Sequence, residues 1–179
     1  MIKVIFLDRD GTINVDNGYV HRPSDWKFVA QAPEGLKLLQ EAGYTLAVIT
    51  NQSGIGHGMY TESDMQALHE YMEQELGKHG VKLAAIAFCP HARDQHECDC
   101  RKPQIGMAKQ IEQKLGPIAY AESWTVGDKL ADFGFGKNAG TKTALIRSRY
   151  WQEEELTDRP NVIVDSLYEF AQGITNNEY

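Results

Sequence analysis

Val4-Ile5-Phe6-Leu7-Asp8-Arg9-Asp10-Gly11-Thr12 is the stretch on which the fold turns. Its first four residues are apolar without a break, as in a strand buried on both faces of a parallel sheet. The polar residues behind them would then sit at the strand's carboxyl end, where open α/β sheets place their ligands. Side chains two apart along an extended segment point the same way, so Asp8 and Asp10 can address one reacting centre. Taken alone, the run also fits a strand-ending turn in which Asp and Gly serve backbone geometry. The rest of the chain decides between the two.

Apolar and helical signals alternate downstream. A helix is predicted over 33–42, stopped by Gly43, followed by a strand over 45–50. Thr61-x-x-Asp64 has the form of a capping box, and Met65, Leu68, Met72 and Leu76 recur at helical spacing, so a helix should run from Thr61 to near Gly80. Further strands over 83–88, 124–126, 143–146 and 162–164 alternate with helices over 106–115, 131–138 and 166–171. That alternation predicts an α/β protein with a doubly wound, Rossmann-like parallel sheet. The chain has 179 residues, no internal repeat and no Pro/Gly/Ser linker, so one domain over 1–179 is expected.

A net charge of −7 argues against nucleic-acid binding by broad phosphate neutralisation. It leaves room for a small anionic substrate, because a few local cations and a metal can invert the field inside a pocket. No apolar run approaches the ~20 residues needed to span a bilayer. Met1-Ile2-Lys3 leads straight into the first strand, without the segments of a signal peptide. The expectation is a cytoplasmic monomer with neither a membrane nor a nucleic-acid partner.

Three further motifs carry chemistry, each predicted behind a strand. Thr50-Asn51-Gln52-Ser53-Gly54 offers a hydroxyl and amides that can bond phosphate oxygens without adding charge, and the glycines up to Gly58 suggest a flexible loop near a pocket. Arg101-Lys102-Pro103 brings a cation able to neutralise a transferring phosphoryl group. In Gly127-Asp128-Lys129-Leu130-Ala131-Asp132, Asp128 is a hard oxygen ligand suited to Mg²⁺, and Asp132 suits a supporting role beside Lys102 or in the first helical turn. Cys89-Pro90-His91, six residues, then Cys98-Asp99-Cys100 form a separate cluster. Three thiolates and an imidazole suit a closed tetrahedral Zn²⁺ site within 89–100, with His96 competing with His91 as fourth ligand.

In this order the motifs resemble those of the haloacid dehalogenase-like hydrolases. More narrowly, DRDGT, TNQSG, the Cys/His loop running into CRKP and GDKxxD are similar to a capless family in the histidinol-phosphate phosphatase-like branch. Members of that family remove the 7-phosphate of D-glycero-D-manno-heptose 1,7-bisphosphate, on the route to nucleotide-activated heptose and the lipopolysaccharide core. The resemblance covers about residues 1 to 147. It implies Asp8 as nucleophile, Asp10 as acid/base, and Thr50 and Lys102 as stabilisers of the phosphoryl oxygens. It also implies Mg²⁺ on Asp8, Asp10 and Asp128, the Asp10 contribution being its backbone carbonyl. Substrate contacts follow from Asp16, Asn17, Gly18, Tyr19, Asn51, Gln52, Ser53, Arg101 and Lys129, along with Thr50 and Lys102. Cys89, His91, Cys98 and Cys100 become the Zn²⁺ ligands of a loop that positions Arg101 and Lys102. Tyr19, Trp26 and Arg101 are the candidates for selectivity, although ordinary partial burial is the better account of Trp26. The short His91–Cys98 gap and His57, where arginine is expected, depart from the pattern and leave the sugar phosphate open. Histidinol phosphate is the rival substrate, and an inactive zinc-loop interaction protein is the rival from another class.

Overall fold

The computed structural model describes every residue but 95–97. Its sheet has six strands: β1 (Val4–Leu7), β2 (Thr45–Asn51), β3 (Ala85–Cys89), β4 (Trp124–Gly127), β5 (Lys142–Ile146) and β6 (Val162–Val164). They are ordered β3-β2-β1-β4-β5-β6 and every pair is parallel. The order reverses direction at β1, so the crevice beyond the carboxyl ends of β1 and β4 is where such a sheet binds ligand.

β1 shows why its apolar run is unbroken. Ile5 and Leu7 face one core layer, with Leu36, Leu39, Met72, Leu76, Leu167 and Phe170. Val4 and Phe6 face the other, with Met107, Ile111 and Phe135. The first layer is covered by α1 (Ala32–Glu41), α3 (Glu62–Lys78) and α6 (Leu167–Thr175), the second by α4 (Gly106–Leu115) and α5 (Leu130–Ala139). Among the described residues no helix is long and apolar enough to cross a membrane.

The capping box forms as the spacing predicts: Thr61 Oγ1 accepts the Asp64 N–H at 3.1 Å, and Asp64 Oδ2 accepts the Thr61 N–H at 2.8 Å. Two local expectations are corrected. The third strand begins at Ala85 rather than Leu83 and extends to Cys89, because its register with β2 pairs Ala47 with Ala85 and Asn51 with Cys89. The stretch read as a flexible glycine loop begins with a turn of helix, α2 (Ser53–Gly56). Gly54 is needed there, since a Cβ would lie 2.1 Å from the Tyr60 ring and 2.9 Å from that of Tyr19.

Candidate active site

Four strand ends deliver the site. β1 ends at Leu7, directly before Asp8, and β2 ends at Asn51, before Gln52. β3 ends at Cys89, the start of the loop that returns Lys102, and β4 ends at Gly127 before Asp128. Lys102 Nζ is buried and lies 2.8 Å from Asp8 Oδ1 and 2.6 Å from Asp132 Oδ1, while donating to the Ile49 carbonyl at 2.9 Å. Asp132 serves a second purpose, as its Oδ2 accepts the Lys129 N–H at 3.0 Å and caps α5. Gly127 permits this, because a Cβ there would meet the Asp132 carboxylate at 2.3 Å.

Lys129 Nζ lies 2.8 Å from Asp128 Oδ1, 2.9 Å from the Asp10 carbonyl, 3.3 Å from Asp16 Oδ2 and 3.6 Å from Asp8 Oδ2. Thus one cation stands among the Asp8, Asp128 and Asp10-carbonyl oxygens that the resemblance assigns to Mg²⁺, with Asp16, a residue expected to contact substrate, beside them. The donor set is all hard oxygen, and the carboxylates of Asp8, Asp10, Asp16, Asp128 and Asp132 outnumber the cations of Arg9, Lys102 and Lys129 by two. An octahedral dication carrying retained water fits both the donors and the charge.

Burial sets the titration of these acids, and charge then sorts them. Burial and the nearby Asp8 charge push Asp128 up to about 7 and raise Asp132 as well. Burial also works against ionised Asp8, but Lys102 and Lys129 outweigh it and hold that carboxyl below its ordinary range. The nucleophile candidate is therefore kept ionised, as is Asp16, while Asp128 and Asp132 are shifted the other way.

Asp10 is oriented by donors only. Arg9 Nη2 lies 3.0 Å and 2.9 Å from its two oxygens, Asn14 Nδ2 donates to Oδ1 at 3.0 Å, and Gln52 Nε2 donates to Oδ2 at 3.0 Å. Arg9 is wholly buried, also reaching the Val20 carbonyl at 2.7 Å and His69 Nε2 at 3.1 Å. Tyr60 Oη donates to Gln52 Oε1 at 2.6 Å and completes the network.

A cavity of about 230 Å³ is lined by Asp8, Asp10, Asp16, Gly18, Tyr19, Asn51, Gln52, Ser53, Lys102 and Lys129 from the predicted set, together with Tyr60, Ala131, Asp132 and Tyr150. Five predicted residues stand outside its lining: Thr50, Asn17, Trp26, Arg101 and Asp128, the last set behind Lys129 with its Oδ1 2.8 Å from that Nζ. Thr50 is fully buried, its Oγ1 accepting from Gln52 Nε2 at 2.7 Å. Asn17 and Trp26 border a separate hollow with Gly18 and Lys27. Arg101 lines a larger adjoining cavity of about 980 Å³, with Arg93, Gln104, Lys129 and Tyr150. Sequence reasoning missed Arg9, His69, Tyr60 and Tyr150. Only Arg9 carried a signal, as a charge directly behind an apolar strand.

The ligand atoms of Cys89, His91, Cys98 and Cys100 lie within 4.8 Å of one another. Cys89 Sγ is 3.0 Å from Cys100 Sγ and 3.7 Å from Cys98 Sγ, and His91 Nδ1 is 3.3 Å from Cys100 Sγ. Tetrahedral Zn²⁺ with Zn–S near 2.3 Å would set sulfur–sulfur edges of roughly 3.8 Å, so the cluster fits after small adjustments. His96, the competing ligand, lies outside the described residues. The loop is tied to the phosphate side: Asn51 Oδ1 accepts the Lys102 N–H at 3.0 Å, and the Pro90 carbonyl accepts the Gly56 N–H at 2.9 Å.

Known proteins share both sequence and fold. The family model described as polynucleotide kinase 3 phosphatase matches residues 3–162. A D-glycero-beta-D-manno-heptose-1,7-bisphosphate 7-phosphatase of Haemophilus ducreyi is 41% identical over 176 residues, covering 94% of this chain and 96% of the relative. The Yersinia pestis protein of the same name is 43% identical over 181 residues, covering 97% and 95%. The crystal structure of D,D-heptose 1,7-bisphosphate phosphatase from B. bronchiseptica, complexed with magnesium and phosphate, superposes with a TM-score of 0.89 at 29% identity, covering 98% of this chain and 99% of that one.

Proposed function

The chain belongs to the D-glycero-beta-D-manno-heptose-1,7-bisphosphate 7-phosphatase family of haloacid dehalogenase-like hydrolases, and on that premise we propose that it hydrolyses the 7-phosphate of this sugar bisphosphate. The product would feed the synthesis of nucleotide-activated heptose for the lipopolysaccharide core. The observation that carries the substrate class is the pair of adjoining cavities. The inner one holds the acids, and the outer one carries Arg93 and Arg101, with room for a second phosphate. Histidinol phosphate has no second phosphate for that basic cavity and is not favoured. A polynucleotide is a poor fit to a chain of net charge −7.

Asp8 attacks phosphorus, forming an aspartyl phosphate as the bond to the leaving sugar oxygen breaks. Asp10 passes a proton to that oxygen, then takes one from the water that cleaves the aspartyl phosphate and releases inorganic phosphate. Lys102 and Lys129 stabilise the phosphoryl oxygens, and Asp132 holds Lys102 in place. Asp8, Asp128 and the Asp10 carbonyl would hold Mg²⁺, which supplies charge neutralisation between carboxylate and phosphate. Zn²⁺ on Cys89, His91, Cys98 and Cys100 would serve structure, fixing the loop that ends in Arg101 and Lys102. The reading includes a monomer acting in the cytoplasm, which sedimentation and cell fractionation would test.

The deciding experiment is a panel of heptose 1,7-bisphosphate, histidinol phosphate and nucleotides assayed with Mg²⁺. The bisphosphate should give the highest kcat/KM. Arg101→Ala should lower that value for the bisphosphate much more than for a simple monophosphate. Preference for histidinol phosphate, or equal losses on both esters, would overturn the bisphosphate reading.

A further inference from the structure

Beyond β5 the chain stays over the site instead of leaving it. Ser148 Oγ donates to the Asp128 carbonyl at 2.6 Å and accepts the Tyr150 N–H at 3.2 Å. On the far side Trp151 is buried, its indole N–H donating to the Ile146 carbonyl at 3.0 Å. A short strap is thus anchored at both ends, with one anchor on the backbone of an acid placed in the Mg²⁺ set.

Tyr150 stands between the anchors, 42% exposed, and turns inward rather than to solvent alone. Its hydroxyl donates to Asp16 Oδ2 at 2.9 Å and accepts from Arg149 Nη2 at 2.9 Å. Arg149 also reaches the Asp16 carbonyl at 3.4 Å. The ring lies 4.7 Å from Lys129 Nζ, in cation–π range. Two strands' worth of loop, one after β1 and one after β5, are therefore clasped over Lys129. The same ring borders both the 230 Å³ cavity and the 980 Å³ cavity.

We propose that Tyr150 is a specificity-determining residue, its ring dividing the reacting-phosphate cavity from the outer basic cavity and its hydroxyl latching the divider to Asp16. A substrate that spans both cavities crosses the wall they share, made by Asn51, Ser53, Lys102, Lys129, Ala131 and Tyr150. Of these, Tyr150 alone is aromatic, and its rigid, amphipathic face suits a sugar: apolar toward C–H groups, with one polar tip. The clasp fixes the spanning alignment in advance, so less ordering is left to binding. A compact monophosphate needs only the inner cavity and gains less from the divider. The proposal rests on the sugar-bisphosphate reading above.

The test compares the full-length, Mg²⁺-loaded wild type with Tyr150→Ala and Tyr150→Phe on heptose 1,7-bisphosphate and on p-nitrophenyl phosphate. Tyr150→Ala should lower kcat/KM for the bisphosphate by roughly tenfold more than for the aryl ester. Tyr150→Phe keeps the ring and loses both hydrogen bonds of the hydroxyl, to Asp16 and from Arg149, each at the exposed rim, so the ratio should shift by about fivefold or less. If the alanine variant does not fold, Tyr150→Leu is read by the same ratio. Equal losses on both substrates, or an unchanged ratio, would overturn the divider. A wild type that hydrolyses p-nitrophenyl phosphate and ignores the bisphosphate would instead overturn the substrate reading, and this proposal with it.

Discussion

Arg9 sits between the two acids of the first motif, yet it stands behind the cavity wall instead of lining it. Its guanidinium gathers Asp10, the Val20 carbonyl, Gln52 and His69, all without solvent contact of its own. A buried pair broken by removing one partner is costly, because the remaining charge has no water. Arg9→Met should therefore destabilise the protein by about 3 kcal/mol or more, read by urea unfolding. Asp8→Asn behaves differently. An amide neither attacks phosphorus nor carries the charge that Lys102 answers, so turnover should fall by at least about three orders of magnitude while the fold persists. Near-normal steady-state hydrolysis would remove Asp8 from the nucleophile role. His69 gives a pH signature. Burial, helped by the Arg9 charge, lowers its pKa from 6.5 to about 3. Between those values an unfolded histidine takes up a proton that the folded one refuses, so the stability present above 6.5 is progressively lost toward 3. His69→Gln keeps an acceptor for Arg9 and should flatten the fall in unfolding free energy between about pH 6 and 4.5, where model carboxyls have yet to titrate fully.

Secondary-structure elements act here as pointers whose tips carry the chemistry. β1 brings Asp8 to the crevice only because Val4, Ile5, Phe6 and Leu7 are all fully buried, two on each face of the sheet. Phe6 packs edge-on against Phe135 with ring centroids 5.8 Å apart. Phe6→Ala should cost about 3–5 kcal/mol, a sum of lost transfer energy and an unfilled cavity, measurable by chemical unfolding. The turn after the strand is equally constrained. Gly11 has φ +91°, and a Cβ there would lie 2.1 Å from Asp128 Oδ2. The close approach of β1's turn to β4's tip is what brings the Asp10 carbonyl and the Asp128 carboxylate within reach of one cation. Gly11→Ala should accordingly weaken Mg²⁺ binding by at least about tenfold, since the carboxylate must move and the backbone is strained. Titration calorimetry against Mg²⁺ would check it, and unchanged affinity would contradict the convergence of these two tips.

At the scale of the molecule, what was legible in the sequence was whatever is written locally. The apolar run 4–7, the capping box at Thr61 and the alternation of elements produced the parallel sheet, and four motifs behind strands marked most of the cavity wall. Long-range partnerships were not legible. Tyr150 reaches Asp16 across 134 positions and His69 reaches Arg9 across 60, and no local pattern records either. β3 was misplaced by two residues at its start because its register comes from β2, not from its own apolar content. The Cys/His cluster stands between these cases, since its ligands are close in sequence while its effect is distant. It closes the loop that leads from Cys89 at the end of β3 to Lys102, and Lys102 in turn joins Asp8 to Asp132. A metal holding that loop would act on the nucleophile's partner without touching substrate. Purified protein should then carry about one zinc per chain by elemental analysis. Stripping the zinc, with Mg²⁺ restored, should lower the melting midpoint and reduce turnover together, because a loosened loop lets the Lys102 ammonium drift from the Asp8 carboxylate it neutralises. Cys98→Ser, which alters the least buried of the three cysteines, should move both quantities the same way by a smaller amount. If zinc-free protein melts and turns over like the native form, the loop holds Lys102 by its own hydrogen bonds, and the metal is not its clamp.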